Sequence, residues 1–245
     1  MKRTLEWQIA TVKSLRSETP EVKTLTLSLP DWTPHRPGQH YDVRLTAEDG
    51  YSTQRSYSVA SEPERKGEID ITVERIANGE VSAFLLDSVG VGGRFEVRGP
   101  IGGYFVWDKS IGGPLLLVGG GSGVVPLMAM LRHRAVAGVK DPARLLYSAR
   151  TYEQIIYRQE LEMVAQKNGL TVAYTLTRTQ PSGWKGYTRR IDDAMLKDVS
   201  ASLGPDALAY ICGPTALVEV AADGLERVGL PPERIRTERF GPSGT

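Results

Sequence analysis

The sequence predicts two domains of different fold class, an antiparallel β-barrel followed by an α/β domain built on a parallel sheet. Three observations carry this. The chain has 245 residues, more than a typical domain of roughly 100 to 150 residues. Its first part reads as short, half-apolar segments separated by turn residues, the pattern of a barrel or sandwich. Beyond a glycine- and proline-rich stretch at 99–114, strand-like and helix-like segments alternate, which implies a parallel sheet wrapped by helices. The domains are accordingly set at 1–108 and 109–245, with the hinge inside that stretch.

In the first domain strands are expected at 7–15, 22–29, 40–45, 56–59, 69–75 and 94–98. One helix interrupts them, at 81–89, with Gly90 as its C-terminal stop. In the second, strands are expected at 115–118, 143–148, 171–176 and 207–211, and helices at 125–136, 154–166 and 216–228. The last five residues, 241–245, read as a short tail.

Composition narrows the function classes. A formal net charge of +1 gives no reason to expect nucleic acid or an anionic membrane as the main partner. The start, Met1-Lys2-Arg3-Thr4-Leu5-Glu6, lacks the apolar core of a secretion signal, and no apolar run approaches the roughly 20 residues of a membrane span. A cytoplasmic location is expected. Cys212 is the single cysteine, so the chain forms no internal disulfide and holds no four-thiolate cluster. His35, His40 and His133 follow no ligand spacing, and no metal site is expected.

Four segments carry chemistry. In Arg55-Ser56-Tyr57-Ser58, strand alternation puts Arg55 and Tyr57 on one face and Ser56 and Ser58 on the other. A guanidinium beside a stackable ring suits a flat cofactor with a phosphate, such as a flavin nucleotide; an ordinary polar sheet edge has the same residues. Gly79-Glu80-Val81-Ser82 opens the helix of the first domain, where backbone amides favour an anion, although Ser82 also reads as a helix cap. Gly119-Gly120-Gly121-Ser122-Gly123-Val124-Val125-Pro126 joins a buried strand to a helix with proline in its first turn, a place where main-chain amides meet a phosphate. It departs from G-x-G-x-x-G, and it is neither a phosphate loop ending in Gly-Lys-Ser/Thr nor a nucleophile elbow. An ATPase and a serine hydrolase are thereby disfavoured. Tyr210-Ile211-Cys212-Gly213-Pro214 is a further strand-to-turn junction at the carboxyl edge of the parallel sheet, where such sheets bind ligands. With no histidine near it in sequence, Cys212 is not read as a nucleophile.

Together with the terminal Glu238-Arg239-Phe240, these segments make the chain resemble the ferredoxin-NADP reductase family of flavoproteins, in the family's order and over almost the whole length. The resemblance implies a β-barrel that binds FAD, a Rossmann-like domain that binds NAD(P)H, and reaction between the two. It implies that Arg55 holds an FAD phosphate, Tyr57 packs on the isoalloxazine with Ser56 beside it, and Ser58 hydrogen-bonds near the reactive N5. Gly79, Val81 and Ser82 would meet the pyrophosphate, and Thr72, Val73 and Glu74 lie on a strand passing the flavin. Gly121, Ser122 and Gly123, with Cys212, Gly213 and Pro214, would border the nicotinamide, and Phe240 would cover the opposite flavin face. Ser58, Cys212 and Phe240 stand nearest the chemistry in this reading. Five residues follow Phe240 here, a departure from relatives that end on the aromatic.

The cofactor expected is NADP(H) in preference to NAD(H). An arginine after the second strand accommodates a 2′-phosphate where an acidic residue would favour NAD, and Arg150 stands there. Thr177-Arg178 and Lys185-Gly186-Tyr187 resemble the Ser-Arg and Lys-x-Tyr elements that grip the 2′-phosphate in plant-type relatives. The acceptor expected is a separate protein, a ferredoxin, flavodoxin or oxygenase component, with the chain a monomer. A small acceptor such as free flavin or a ferric chelate with NADH is the alternative, and a non-catalytic nucleotide-sensing module is the reading from another class.

Overall fold

The computed structural model describes residues 5–167 and 169–240, so the expected tail lies outside the described residues. The chain forms two compact units, the first holding residues up to Trp107 together with Met128–Val136, the second Asp108–Leu127 and the chain from Ala137.

The first unit is a six-stranded antiparallel sheet of β1 (Gln8–Thr19), β2 (Val22–Ser28), β3 (His40–Thr46), β4 (Ser52–Ser58), β5 (Glu68–Glu74) and β6 (Arg94–Ile101), in the order β4-β3-β6-β1-β2-β5. A bridge between Val59 and Ile71 joins the two ends of that order and brings the sheet round into a barrel. Inward-facing Leu25, Leu27, Tyr41, Val43, Ile69, Ile71 and Val97 are fully buried, and Leu85 adds to them from the helical segment. Met128–Val136 adheres to this unit through Arg132, whose Nη1 donates to the Ala60 carbonyl at 2.7 Å, and through His133, whose Nδ1 lies 2.7 Å from a Glu64 carboxylate oxygen.

Three elements differ from expectation. Strand β1 runs on past Leu15 to Thr19 because register shifts at Val12/Ser14 and Ser17/Thr19 break its alternation without ending its pairing. Strand β4 begins at Ser52, four residues early. It is an edge strand whose Ser52, Gln54, Arg55 and Ser56 are exposed, so no apolar period marks it. The helix at 81–89 is instead a single α turn, α1 (Glu80–Ala83), followed by a π turn over Phe84–Ser88, with the Val89 amide reaching back to the Phe84 carbonyl at 3.2 Å.

The second unit is a five-stranded, all-parallel sheet of β7 (Leu115–Gly120), β8 (Ala143–Ala149), β9 (Leu170–Leu176), β10 (Leu208–Pro214) and β11 (Ile235–Phe240), in the order β11-β10-β7-β8-β9. Its helices are α3 (Arg158–Lys167), α4 (Asp193–Ser200) and α5 (Thr215–Arg227), together with the first turn of α2 (Val124–Val136), whose Met128–Val136 belongs to the first unit. Central β7 and β10 are buried along almost their whole length, as strands covered on both faces must be. Helix α3 starts at Arg158 and not near Gln154, because Tyr152–Gln154 forms a separate 3₁₀ turn and Tyr157 takes a left-handed φ of 58°. Helix α4 and strand β11 lie outside the expected elements. Helix α4 is short, though its cap is explicit: the Asp192 carboxylate accepts from the Met195 amide at 2.9 Å. Strand β11, Ile-Arg-Thr-Glu-Arg-Phe, carries three charges in six residues and so lacks the apolar run of its neighbours.

Candidate active site

In the first unit, β4 is held on one side only, by β3, with Tyr41 opposite Tyr57, Asp42 opposite Ser56 and Val43 opposite Arg55. Tyr57 lies against the barrel core, and burial pushes its phenol up to about 12. Arg55 is exposed and, among the described residues, donates only to the neighbouring Gln54 carbonyl, at 2.7 Å, so further N–H groups are available to a phosphate. Ser56 points away from them, as alternation requires. Its hydroxyl donates to Asp42 Oδ1 at 2.6 Å, while Arg98 Nη2 donates to the other oxygen at 2.8 Å; this side chain serves the strand.

Ser58 differs from Ser56. It is buried, and its hydroxyl has no hydrogen-bond partner among the described residues. A buried hydroxyl without a partner costs about 1–3 kcal/mol, which a ligand atom accepting or donating there would recover. A flavin fits that requirement, with Tyr57 as an apolar wall and Arg55 as the phosphate clamp. On β5, Val73 points into the barrel core and buried Thr72 shares a 2.8 Å hydroxyl contact with Thr24, so Val73 can offer only main chain; Glu74 is half-buried. No strand pairs with the outer edge of Thr72–Glu74 among the described residues.

At Gly79, a Cβ would meet Ser82 Oγ at 2.7 Å and Ile76 Cβ at 2.9 Å, so only glycine permits this turn. Ser82 is buried, accepts from the Ile76 amide and donates to the Gly79 carbonyl, both at 3.2 Å. Val81 is in the core. Side chains here build the turn, and its main chain is what remains for a pyrophosphate.

In the second unit the glycine turn and the cysteine turn are pressed together, backbone against backbone. A Cβ on Gly123 would stand 2.1 Å from the Cys212 carbonyl oxygen and 2.7 Å from Gly213 Cα, and one on Gly213, at φ +153°, would stand 3.1 Å from the Gly120 carbonyl oxygen. Gly121 takes φ +55° at the start of a 3₁₀ turn over Gly121–Gly123, which leads into α2. Cys212 is fully buried, and burial, with Glu238 nearby as a second cause, raises its thiol well above the ordinary range. It is therefore a neutral thiol.

Glu238 is the group that sequence reasoning left without a role. Strand β11 sets it in register with Cys212, and burial lifts its carboxyl to about 7. The signal for it was present in Glu238-Arg239-Phe240, but without an expected strand nothing placed it beside Cys212. Phe240, half-buried, is in register with Pro214 at the end of the same strand.

The residues expected at a 2′-phosphate separate into two groups. Arg150 and Arg178 follow the ends of adjacent β8 and β9, and the Arg178 amide donates to the Arg150 carbonyl at 2.9 Å. Both side chains are exposed, and neither guanidinium has an ion pair or hydrogen bond among the described residues. Thr177 joins them, with its amide on the Ala149 carbonyl at 3.0 Å. Lys185 and Tyr187 come from a separate segment that runs beside the end of β9. The chain doubles back along β9, Tyr187 exchanging backbone hydrogen bonds of 2.9 and 3.0 Å with Tyr174 and Leu176. Its hydroxyl donates to the Asp198 carboxylate, so Tyr187 brings no free donor to the strand ends. Lys185 lines a groove of about 530 Å³ with Val172, Ala173, Tyr174, Trp184 and Gly186.

Two domain models match the chain. Residues 10–106 match the model of the oxidoreductase FAD-binding domain, and residues 117–223 that of the oxidoreductase NAD-binding domain. The reductase component of the naphthalene 1,2-dioxygenase system of Pseudomonas putida is 26% identical over 234 residues, covering 96% of this chain and 69% of that protein. The glycine betaine monooxygenase reductase subunit of Chromohalobacter salexigens is 31% identical over 212 residues, covering 84% of this chain and 56% of that one. A ferredoxin NADP+ reductase from Neisseria gonorrhoeae, solved with FAD and NADP, superposes with a TM-score of 0.81 at 20% identity over 95% of this chain and 98% of that one. With an FAD-binding barrel followed by an NAD-binding parallel sheet, the chain belongs to the ferredoxin-NADP reductase family and is an NAD(P)H-dependent flavoprotein oxidoreductase.

Proposed function

We propose that this chain is a reductase component that accepts a hydride from NADPH and delivers electrons to a separate protein acceptor, a ferredoxin, flavodoxin or oxygenase component. The flavin, when bound, supplies the conversion of a two-electron hydride into single-electron steps. The chain's own residues position and desolvate. Arg55 holds a phosphate, Tyr57 walls the ring, and the Ser58 hydroxyl orients it through the one polar contact it lacks within the protein. Cys212, a neutral buried thiol, and Glu238, a carboxyl balanced near neutrality, keep the nicotinamide end dry and hold a proton there. Hydride transfer needs such close, water-free placement more than a strong acid or base.

The preference for NADPH rests on one observation, that Arg150 and Arg178 follow the ends of adjacent strands with their main chains joined and, among the described residues, neither guanidinium paired, since arginines are well suited to a phosphate. NADH is the second reading, and the engagement of Tyr187 by Asp198 favours it by removing one expected donor. A separate protein acceptor is supported by the naming of the Pseudomonas and Chromohalobacter relatives as a reductase component and a reductase subunit, and by a single cysteine, too few for a cluster. We place the protein in the cytoplasm, acting as a monomer; among the described residues no helix is long and apolar enough to cross a membrane. Anaerobic reduction of the FAD-loaded protein by NADPH and by NADH, followed by a panel of ferredoxins, flavodoxins and free flavin, tests the whole reading. Reduction by NADH alone, or turnover only with free flavin, would replace it.

A further inference from the structure

We propose that Tyr147 is a positioning residue for the pyridine nucleotide: its phenol sets the peptide between Gly121 and Ser122 so that the Ser122 amide faces the ligand. The proposal rests on the nucleotide-binding reading of the glycine turn.

Tyr147 is on β8, opposite Gly119 of β7 and two residues before β8 ends, and its side chain is fully buried. A buried phenol requires hydrogen-bond partners. Two of its partners are the Gly121 carbonyl, to which it donates at 3.1 Å, and the Ile156 amide, from which it accepts at 3.2 Å. The first bond matters for the ligand. Gly121 stands at φ +55° and has no side chain to hold its peptide, so the turn's shape depends on what its carbonyl meets. The peptide is planar and trans, so its C=O and the following N–H point in opposite directions. Drawing the Gly121 carbonyl inward to the phenol turns the Ser122 N–H outward, on the side where the helix start offers amides to an anion. The Val124 amide also donates to the Gly121 carbonyl, but that bond lies within the turn and moves with it; Tyr147 ties the turn to the sheet.

The second bond anchors the segment entering α3, where Tyr157 takes its left-handed φ of 58°. Losing the phenol leaves the Ile156 amide short of a partner, which costs stability. It also frees the Gly121 peptide, which costs nucleotide affinity. The two effects are separable by measurement. Tyr174 supplies the control, because its ring centroid is 6.2 Å from that of Tyr147 while its hydroxyl has no hydrogen-bond partner among the described residues.

The experiment compares Tyr147→Phe and Tyr174→Phe with the parent, all FAD-loaded. The Kd for NADP+ is read by calorimetry, KM and kcat for NADPH with ferricyanide as acceptor, and amide exchange across 120–124 without nucleotide. Tyr147→Phe is expected to raise Kd and KM at least fivefold, change kcat less than twofold and speed exchange in the turn, with Tyr174→Phe near the parent in all. An irreversibly misfolded fraction lowers the calorimetric stoichiometry and leaves Kd unchanged, and the measurements are made at a temperature where urea unfolding shows each variant fully folded, so lost stability does not mimic the result. Nucleotide affinity within twofold of the parent for Tyr147→Phe overturns the proposal, as does an equal loss in Tyr174→Phe, which would show that the bond to the Gly121 carbonyl is not the cause. A parent that binds no pyridine nucleotide overturns the nucleotide reading and the proposal together.

Discussion

Replacing Gly123 with alanine probes the contact on which the nicotinamide end of the site is built. The added Cβ would fall 2.1 Å from the Cys212 carbonyl oxygen, 2.5 Å from its carbonyl carbon and 2.7 Å from Gly213 Cα. Carbon atoms prefer separations of about 3.5–4.0 Å, so the two turns must part by about 1 Å or more. None of the three obstructing atoms belongs to a flexible side-chain end. Overpacking of this kind costs about 1–3 kcal/mol, and a misplacement of about 1 Å at a reacting centre can cost roughly 100-fold in rate. The expected outcome is a loss of about 100-fold in kcat/KM for NADPH, measured with an artificial acceptor, with flavin content retained because the flavin-strand residues belong to the other unit. Gly90→Ala is the control, having no atom within 4 Å of its Cβ position. Parent-like kinetics in Gly123→Ala would refute the claim that the turns are in van der Waals contact.

Three further outcomes follow from the geometry. Arg178→Ala should weaken NADPH at least tenfold more than NADH in parallel KM measurements; equal losses would remove the 2′-phosphate from that corner. Ser58→Ala removes a buried hydroxyl that the protein itself leaves unpartnered, so it should leave the unfolding midpoint of the flavin-free protein unchanged or raised while weakening FAD several-fold in a titration. Destabilisation of the flavin-free form would show that the hydroxyl already had a partner. Glu238 carries the pH dependence. Its folded pKa, raised from 4.5 to about 7, makes its stabilising contribution complete below 4.5 and lost as pH rises through 7. The difference amounts to about 3 kcal/mol at about 1.4 per unit. Urea unfolding at pH 5 and pH 8 should show the parent losing stability of that order and Glu238→Gln, which resembles the protonated acid, losing much less; parallel losses would mean that burial does not set this group.

The fold was legible where burial writes a period into the residues. Leu115-Leu116-Leu117-Val118 reads as a covered parallel strand because it is covered on both faces. Strand β11 was not legible because it pairs on one side only and four polar residues, three of them charged, fill its middle, and β4 was shortened for the same reason, its exposed Gln54 and Arg55 carrying no burial signal. In the site, glycines announced the turns, since close backbone approach excludes every other residue. What they could not announce was the partner of each approach. That Gly123 meets Cys212, across 89 positions of sequence, follows from β7 and β10 being neighbours, and Glu238 joins them only through the strand that was missed. For Lys185 and Tyr187 a short pattern suggested a phosphate grip, and the contact of the tyrosine hydroxyl with Asp198 is set by tertiary context that the pattern does not contain.

That doubled-back segment has a further consequence. Strand β9 ends the parallel sheet, and an uncovered terminal strand invites another molecule to add itself there. The Thr175–Tyr187 bridge occupies part of that rim. Trp184, its indole N–H on the Tyr187 carbonyl at 3.0 Å and its ring against the bare Cα of Gly186, acts as a clasp holding the segment down. Substitutions introduced at 184–187 to retune the choice of nucleotide therefore also unfasten a guard against self-association, and their kinetics are interpretable only alongside the sedimentation behaviour of the variant.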